Sequence, residues 1–305
     1  MSTSSHPDLP GSVAIVEVGP RDGLQNQPQI VSAVAKKEFI DSLADAGLKR
    51  IEATSFVHPK WVPQLSDASE VMASIERKPG VVYSALVPNL EGLERAMGAG
   101  ADEVAVFASA TESFSEKNLG RSRQDSLEMF RPVLEKAAEA SLPVRGYVSM
   151  VLGDPWEGEV VSSEVVRMAE ALLELGCTEV SLGDTIGVGT PGSVERLLHA
   201  IFAAGIGADA IAVHFHDTYG QALVNVLTSM RMGITTVDSS AGGLGGCPFA
   251  QSATGNLATE DLVWMLDGMG VETGVDVRKV AKASSRISSE LGIEPPSRVA
   301  RAIQK

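Results

Sequence analysis

Eight times along its 305 residues, this chain passes from a short run rich in β-branched residues to a segment rich in Ala, Leu, Glu and Lys. In the second kind of segment apolar residues recur every three or four positions, which is typical of amphipathic helices. The strand candidates are Val13–Val18, Arg50–Ala53, Val82–Val87, Glu103–Ala108, Val144–Ser149, Glu179–Gly183, Ile211–His216 and Thr235–Ser239. The clearest helix candidates between them are Val34–Ala46, Gln124–Ala140, Ser162–Leu175 and Gln221–Met232. Eight such units in a chain of this length predict a closed (β/α)8 TIM barrel.

The alternative architecture is an open, doubly wound sheet, which usually carries a Gly-rich phosphate-binding fingerprint after its first strand. Here the first strand candidate is followed by Gly-Pro-Arg-Asp-Gly, which is not such a fingerprint. After the eighth unit, Ala258–Met269 and Asp276–Leu291 predict additional helices on the outside or at one end of the barrel. No linker interrupts the chain, so we expect a disordered tail over residues 1–11 and a single catalytic domain with a C-terminal helical extension over residues 12–305.

Acidic residues outnumber basic ones, with 39 Asp and Glu against 25 Lys and Arg, and the formal net charge is −14. This excess argues against nucleic-acid binding, which depends on basic surfaces. No apolar run is long enough to span a membrane. The two cysteines, Cys177 and Cys247, provide no disulfide framework, and a reducing cytoplasm is the predicted compartment.

In a barrel of this kind the active site lies at the carboxyl ends of the strands. Polar residues concentrate at those ends, while the strand interiors remain apolar. The candidates are Arg21 and Asp22 after strand one, Glu52 in strand two, Asp184 after strand six, His214 and His216 in strand seven, and Cys247 in the loop after strand eight.

His214 and His216 are two positions apart on a predicted strand, so both side chains point to the same face, which is the barrel lumen. Paired imidazoles suit a divalent cation, although each residue alone would suit a hydrogen-bonded core position. Asp22 would add a hard carboxylate oxygen and Asn256 a carbonyl oxygen, a set that favours Mg²⁺ or Mn²⁺ over a structural zinc site. In the alternative interpretation Asp22 stabilises a turn and Asn256 caps a helix that begins at Leu257, with Glu260 at capping-box spacing.

The charged residues beside this set leave two interpretations open. Arg21 is either an ion-pair partner of Asp22, Glu52 or Asp184, or a fixed cation for a developing oxyanion. Glu52 and Asp184 are either carboxylates that orient a neighbouring His or Arg side chain, or members of an ion network inside the barrel.

The stretch Ala241–Leu257, AGGLGGCPFAQSATGNL, contains five glycines, one thiol (Cys247) and one carboxamide (Asn256). Glycine permits backbone conformations that other residues avoid, at an entropic cost on folding. Such a segment is typical of a loop that approaches a ligand closely or closes over it. The alternative is a surface loop with an incidental cysteine.

Six segments together resemble the 3-hydroxy-3-methylglutaryl-CoA lyases, part of a metal-dependent TIM-barrel group that includes isopropylmalate synthase-like enzymes. The segments are VEVGPRDGLQN at Val16–Asn26, IEATSFVHPKWVPQLSD at Ile51–Asp67, RGYVS at Arg145–Ser149, SLGDTIGVGTPG at Ser181–Gly192, HFHDTYGQAL at His214–Leu223 and GGLGGCPFAQSATGNLATEDLV at Gly242–Val263. They run from the first strand to past the eighth, so the resemblance extends over nearly the whole chain except the tail and the last helix. The Gly-Gly-Cys-Pro loop with the downstream Gly-Asn-Leu-Ala-Thr-Glu-Asp is specific to the lyase branch, whereas His-x-His-Asp alone indicates only the wider group.

The resemblance implies retro-Claisen cleavage of 3-hydroxy-3-methylglutaryl-CoA to acetyl-CoA and acetoacetate, the chemistry of leucine degradation and ketone-body formation. It implies an acyl-CoA thioester substrate, a divalent cation and a homo-oligomer, a dimer or larger. The implied ligands of the cation are Asp22, His214, His216 and Asn256. Arg21 would face the thioester enolate, Cys247 would transfer a proton from a mobile loop, and His214 or Asp22 would act as the base. Glu52, Asp184 and Glu260 match supporting positions.

The chain departs from the family pattern in two places. The segment Ser149–Trp156 stands where a small or cysteine-bearing stretch is expected, and His58 stands where a small residue is commoner. Three alternatives therefore stay open: a lyase for a longer 3-hydroxy-3-branched glutaryl-CoA such as the isohexenyl compound, a Claisen-type synthase, and a non-catalytic barrel that binds metal or CoA. Candidates for contacting the CoA phosphates are Lys60, Lys117, Arg121 and Arg123.

Overall fold

The structure, a computed structural model, describes residues 8–246 and 255–303. Eight parallel strands form a closed barrel in which each strand pairs with its neighbours in the sequence and β8 pairs with β1. The strands are β1 (Ala14–Glu17), β2 (Arg50–Ser55), β3 (Val82–Leu86), β4 (Glu103–Ser109), β5 (Val144–Ser149), β6 (Glu179–Asp184), β7 (Ile211–Phe215) and β8 (Thr236–Ser239). Each predicted strand overlaps an observed one, with ends that agree within two residues. The prediction of a TIM barrel is confirmed.

Helices surround the barrel and connect its strands. Within the described residues they are α1 (Ala33–Asp45), α2 (Ala68–Ser74), α3 (Leu90–Gly98), α4 (Glu112–Leu119), α5 (Arg123–Glu139), α6 (Ser162–Leu175), α7 (Pro191–Ala203), α8 (Ala222–Arg231), α9 (Thr259–Gly268), α10 (Val277–Leu291) and α11 (Arg298–Ile303). Local signals fix several of their ends. The Ser32 hydroxyl caps α1 by accepting the Ala35 amide at 3.2 Å, and α6 ends at Gly176, which has φ +111°.

The main hydrophobic core lies between the outer faces of the strands and the inner faces of the helices. Ile40 and Leu43 of α1, Val104 of β4 and Val180 of β6 are fully buried there. Each large side chain buried in this way contributes about 1.5–3 kcal/mol relative to an exposed one. This shell leaves the lumen of the barrel free to hold polar residues.

The C-terminal helices pack on the outside of the barrel. Helix α10 contacts α1, α9 and the short turn Ala241–Gly243 that follows β8, and α11 contacts α9 and α10. The predicted helices Ala258–Met269 and Asp276–Leu291 correspond to α9 and α10, whereas α11 was not predicted. Because α10 contacts the turn Ala241–Gly243, these helices support the chain after β8 on the outside of the barrel.

Part of the predicted N-terminal tail is included in the described residues. Leu9 packs against the main core, and the Gly11 carbonyl accepts the Glu272 amide at 2.9 Å. Residues 1–7 of that tail lie outside the described residues. Across the described helices, none combines the length and apolar character that a membrane crossing requires.

Candidate metal centre and active site

The turn after β1 brings Arg21 and Asp22 to the barrel mouth. Residues Gly19–Gly23 form a single wide π-helical turn, in which the Asp22 amide donates to the Val18 carbonyl at 2.7 Å. A Cβ atom at Gly23 would lie 2.9 Å from the Ser240 hydroxyl, so a larger residue would push this turn away from the chain after β8. Single π turns of this kind are frequent at functional sites.

His214 lies in β7, and His216 follows the end of that strand. The His rings lie with centroids 5.3 Å apart, and both side chains are buried. One potential ligand atom from each of Asp22, His214 and His216 lies within 4.8 Å of the other two. The structure therefore brings together the three residues that the sequence selected from two distant segments.

Asn256 reaches the same place through backbone pairing. The segment that contains it runs antiparallel to the end of β7, where the Leu257 amide donates to the Phe215 carbonyl at 3.0 Å. The Asn256 carboxamide donates to Asp22 Oδ2 at 2.8 Å and to the Leu244 carbonyl at 3.0 Å. Asn256 is not a helix cap, because α9 begins three residues later, at Thr259, with Ala258 as its N-cap.

The donor set fits a hard divalent cation. Asn256 Oδ1 and His216 Nδ1 are buried and accept or donate no hydrogen bond within the described residues. Buried polar atoms are rarely left unpaired, so these two atoms indicate an absent ligand. Burial and the neighbouring His214 lower the pKa of His216 to about 4, which leaves its ring neutral and able to bind a cation at pH 7. Two imidazoles, a carboxylate and an amide oxygen suit Mg²⁺ or Mn²⁺.

Arg21 connects this cluster to Glu52. Its Nε donates to Glu52 Oε2 at 2.6 Å and its Nη1 to Asp22 Oδ1 at 2.8 Å. Burial opposes the charge of Asp22, but the Arg21 guanidinium outweighs it and lowers the pKa of that carboxyl. Arg21 Nη2 makes no hydrogen bond to any described residue. The ion-pair interpretation of Arg21 therefore holds for Asp22 and Glu52, and it leaves one N–H face of the guanidinium for another acceptor.

Three residues that the sequence analysis did not select complete the centre. Asp238 of β8 lies beside His214 of β7, and its Oδ2 is 3.3 Å from His214 Nδ1. Arg145 donates to both oxygens of Asp238, at 2.7 and 3.0 Å. Tyr147 lies between two arginines, with its ring centroid 5.4 Å from the Arg21 guanidinium carbon and 5.0 Å from that of Arg145. A signal was present in the sequence, since Asp238 and Arg145 are charges inside apolar strands.

Asp184 lies apart from the cluster. In the pairing of β6 with β7, Gly183 lies beside His214 and Asp184 beside Phe215, so Asp184 is on the face that turns away from the lumen. Its carboxylate accepts the amides of Val188 at 3.1 Å and Gly189 at 2.8 Å. Burial raises the pKa of Asp184 to about 6. The observed contacts hold the loop after β6, and a direct chemical role for Asp184 stays a prediction.

Two further glutamates support the chain after β8. Glu260 accepts the Gly242 amide at 2.8 Å and the Ser284 hydroxyl, so it is not part of a capping box. Glu17 accepts the amides of Gly19 and Ala241, both at 2.8 Å. Burial raises the pKa of each of these two glutamates to about 7.

Glycines in the predicted ligand loop allow two chain segments to approach each other closely. A Cβ atom at Gly255 would lie 1.9 Å from the Gly243 carbonyl oxygen, and one at Gly245 would lie 2.4 Å from Asn256 Nδ2. Only glycine permits this contact, which carries Asn256 into the centre. Cys247, the predicted proton-transfer residue, lies outside the described residues. Burial raises the pKa of the other cysteine, Cys177, to about 12, which makes it unreactive.

Two of the proposed phosphate contacts lie near exposed aromatic rings. Lys60 Nζ is 5.9 Å from the Trp61 ring centroid, and Lys117 Nζ is 4.8 Å from that of Trp156. Arg123 is engaged elsewhere, because it forms ion pairs with Glu112 and Glu164. The sequence departure around Trp156 is an ordered turn in which Asp154 accepts the Trp156 amide at 2.7 Å.

Comparisons with known proteins show which family this chain is similar to. The HMGL-like family model matches residues 12–287. The chain is 52% identical to the mitochondrial hydroxymethylglutaryl-CoA lyase of Macaca fascicularis, over all of this chain and 94% of that protein. It is also 52% identical to the cytoplasmic 3-hydroxy-3-methylglutaryl-CoA lyase of Rattus norvegicus, over 96% of this chain and 85% of that one.

Solved structures show the same similarity. The hydroxymethylglutaryl-CoA lyase of Pseudomonas aeruginosa superimposes with a TM-score of 0.95 at 50% identity, over 97% of this chain and 99% of that chain. An HMG-CoA lyase of Acinetobacter baumannii, solved with coenzyme A and 3-methylmalate, gives a TM-score of 0.92 at 35% identity, over 98% and 97% of the two chains. From the family match and these full-length similarities, this chain belongs to the HMGL-like family.

Proposed function

We propose that this protein is a divalent-metal-dependent lyase that cleaves 3-hydroxy-3-methylglutaryl-CoA into acetyl-CoA and acetoacetate. The observation that carries the proposal is the convergence of Asp22, His214, His216 and Asn256 at the barrel mouth, with unpaired ligand atoms, in a chain of this family. Relatives that match over nearly their whole length are named for this activity.

Those four residues would hold the cation, for which we propose Mg²⁺ or Mn²⁺. A bound cation of this kind supplies Lewis acidity that lowers the pKa of a substrate hydroxyl group. Arg21, Gln25 and Asn256 all donate to the Asp22 carboxylate and keep it oriented.

We propose that Asp22 rather than His214 removes the hydroxyl proton. Both ring nitrogens of His214 would be occupied, Nδ1 by a neighbouring carboxylate and Nε2 by the cation, whereas the longest of the three hydrogen bonds to Asp22, from Gln25 at 3.4 Å, is one that a proton can displace. Loss of that proton lets the bond between C2 and C3 of the acyl chain break, and acetoacetate leaves. The electron pair of the broken bond moves onto the thioester, which becomes the enolate of acetyl-CoA.

Arg21 is proposed to stabilise the enolate oxygen through its free Nη2 edge. Its two ion pairs hold the guanidinium in place before the reaction, so little reorganisation is needed as charge develops. Cys247 is proposed to deliver the proton that converts the enolate into acetyl-CoA. Glu52 is proposed to orient Arg21, and the role of Asp184 is proposed to be support of the neighbouring loop.

For the thioester itself we propose contacts from Lys60 and Lys117, whose ammonium groups can meet the CoA phosphates. We also propose a cytoplasmic location and a homo-oligomer, with residues 12–305 as one catalytic domain. The cytoplasmic name of the Rattus norvegicus relative supports the location.

The test is acetyl-CoA release from 3-hydroxy-3-methylglutaryl-CoA after chelation, with and without added Mg²⁺ or Mn²⁺. We expect release only when the cation is restored. Cleavage that is unaffected by complete chelation would contradict the metal requirement. A parallel assay with the isohexenyl thioester tests acyl-chain preference, and faster cleavage of that compound would overturn the proposed substrate.

A further inference from the structure

We propose that Asp238 is a positioning residue that fixes the tautomer and orientation of His214, and that Arg145 and Ser181 hold Asp238 for this purpose. The inference rests on the metal centre of the proposed function but not on the reaction carried out there. It gives a role to the buried carboxylate of Asp238, which has no other role in the proposed mechanism.

The strand register creates the contact. His214 of β7 and Asp238 of β8 are direct partners in the pairing of two parallel strands, so their side chains share the lumen face. Asp238 Oδ2 lies 3.3 Å from His214 Nδ1, and the Asp238 side chain is completely buried. Because Nδ1 is engaged by the carboxylate, Nε2 is the ring nitrogen that remains for a cation.

Asp238 cannot rotate away from this position without breaking several hydrogen bonds. Arg145 Nη2 donates to Oδ1 at 2.7 Å and Nη1 to Oδ2 at 3.0 Å, which is the bidentate arrangement. The Ser181 hydroxyl donates to Oδ2 at 2.8 Å. Arg145 is in turn held by Glu179 at 2.6 Å and by the Tyr147 hydroxyl at 2.9 Å.

The chemical consequence concerns the proton on the ring. A carboxylate accepts the N–H of Nδ1 and so selects the tautomer whose lone pair is on Nε2, which also raises the basicity of that nitrogen. His216 lacks such a partner, since its Nδ1 is unpaired within the described residues. The two histidines of the centre therefore differ, and a change at Asp238 should act through His214 alone.

The experiment measures the tautomer and the metal affinity separately from turnover. Nitrogen-15 labelling of the five histidines reports the ring tautomers of the metal-free protein, and electron paramagnetic resonance with Mn²⁺ reports the Kd. The first variant is Asp238→Asn. The second is Arg145→Met combined with Asp238→Asn, which leaves no unpaired buried arginine and leaves Glu179 paired with Arg50.

At a pH where the ring is neutral, we expect wild-type His214 to be in the single tautomer with hydrogen on Nδ1, and both variants to lose that uniformity. The Kd for Mn²⁺ should rise about 10- to 100-fold, and saturating Mn²⁺ should restore most of the turnover. The control is Lys36→Met combined with Asp67→Asn, which removes another buried ion pair, between α1 and the turn before α2. The control should retain the wild-type Kd.

Folded variants that keep the wild-type Kd and the Nδ1–H tautomer would overturn the proposal. So would a weaker Kd with an unchanged tautomer, because Asp238 would then act by charge and not by position. A wild-type protein that binds Mn²⁺ through an ordered His214 but does not cleave the thioester would refute the proposed function and leave this inference standing.

Discussion

Two groups of buried charge share the lumen of this barrel, and they differ in how completely their polar atoms are paired. The first, here called the stem network, consists of Arg50, Glu103, Arg145, Glu179 and Asp238, of which the first four lie at or next to the amino ends of their strands. Arg50 pairs with Glu103 and Glu179, and Arg145 pairs with Glu179 and Asp238. Within the described residues, no buried side-chain atom of the stem network lacks a hydrogen-bond partner.

The second group, the mouth cluster, consists of Arg21, Asp22, Glu52, His214, His216 and Asn256. Here Glu52 Oε1, His216 Nδ1 and Asn256 Oδ1 are buried and have no hydrogen-bond partner among the described residues. Both groups are buried and charged, so neither property distinguishes a site from a structural network. The difference is that the polar atoms of the stem network satisfy one another, while three atoms of the mouth cluster have no partner among the described residues and are available to the proposed cation and substrate.

The two groups contact each other directly where Asp238 lies beside His214. Burial acts against the charge of Asp238, but Arg145 outweighs it and holds the pKa of Asp238 well below its usual range. The stem network thus presents a permanent negative charge to the back of a candidate metal ligand.

The largest expected effect is at the mouth cluster. Arg21→Lys keeps a positive charge but loses the fork that pairs with Asp22 and Glu52 and that is proposed to stabilise the enolate. We expect kcat to fall about 10²- to 10³-fold, the range seen when one oxyanion donor is removed, with a small change in thermal stability. Steady-state kinetics and thermal unfolding check this. A stable variant with near-normal kcat would remove Arg21 from the mechanism.

The corresponding change in the stem network should lower stability and leave kcat nearly unchanged. Arg50→Met leaves Glu103 without its cation and Glu179 with only Arg145. Because Arg50 is partly exposed, we expect the free energy of unfolding to fall by about 1–3 kcal/mol, below the value for a fully buried pair. Chemical denaturation measures the loss. If kcat fell as far as in Arg21→Lys, the division between the two regions would be wrong.

A smaller expected effect concerns Glu17, and it tests whether hydrogen bonds alone can keep a buried glutamate ionised without a cationic partner. Glu17 accepts the amides of Gly19 and Ala241 and the Thr259 hydroxyl, but no arginine or lysine pairs with it within the described residues. Burial raises its pKa from 4.5 to about 7, so the folded state binds more protons than the unfolded state between those values. The contribution of Glu17 to the free energy of unfolding is therefore fully present below pH 4.5 and is lost as the pH rises through 7.

We expect the free energy of unfolding to fall by about 1 kcal/mol per pH unit in that window because of Glu17. Glu17→Gln should make the profile flatter, whereas Glu135→Gln, at an exposed position of α5, should leave it unchanged. Denaturation between pH 4.5 and 8 gives the slopes. Equal slopes in wild type and Glu17→Gln would show that Glu17 is ionised in the folded protein.

The smallest expected effect is at the rim of the mouth. Lys60→Ala should raise KM for the thioester about 2- to 5-fold without changing kcat, because an exposed ammonium attracts CoA phosphates through screened interactions. The effect should diminish at high salt. Lys136→Ala, on α5 and paired with Glu139, is the matched surface control. An unchanged KM at low salt would place the phosphates elsewhere.

Much of the candidate site could be predicted from the sequence because it depends on local periodicity. Alternation of strand and helix predicted the barrel, and a spacing of two on a strand predicted that His214 and His216 share a face. The carboxyl-end rule then added Asp22 and Arg21. Asp184 illustrates the limit of that rule, since a residue at a strand end can turn to either face, and here it turns away from the lumen.

Other features depended on contacts between distant segments. The sequence left two interpretations of Asn256, a metal ligand and a helix cap, and antiparallel pairing with the end of β7 places it beside Asp22. The glycines after β8 suggested proximity to a ligand, and the structure shows that Gly243 and Gly255 allow two chain segments to touch. No local pattern encodes either contact.

The order of strands and the lumen-facing positions were thus determined by the sequence alone, because hydrophobic periodicity is a property of neighbouring residues. Which lumen residues touch one another was decided only by the tertiary structure. Strand register sets Asp238 against His214, and closure of the barrel brings Arg145 from β5 across to Asp238 in β8. Register and closure arise from the packing of the whole shell, so the pairing of charges in the lumen follows from the complete fold.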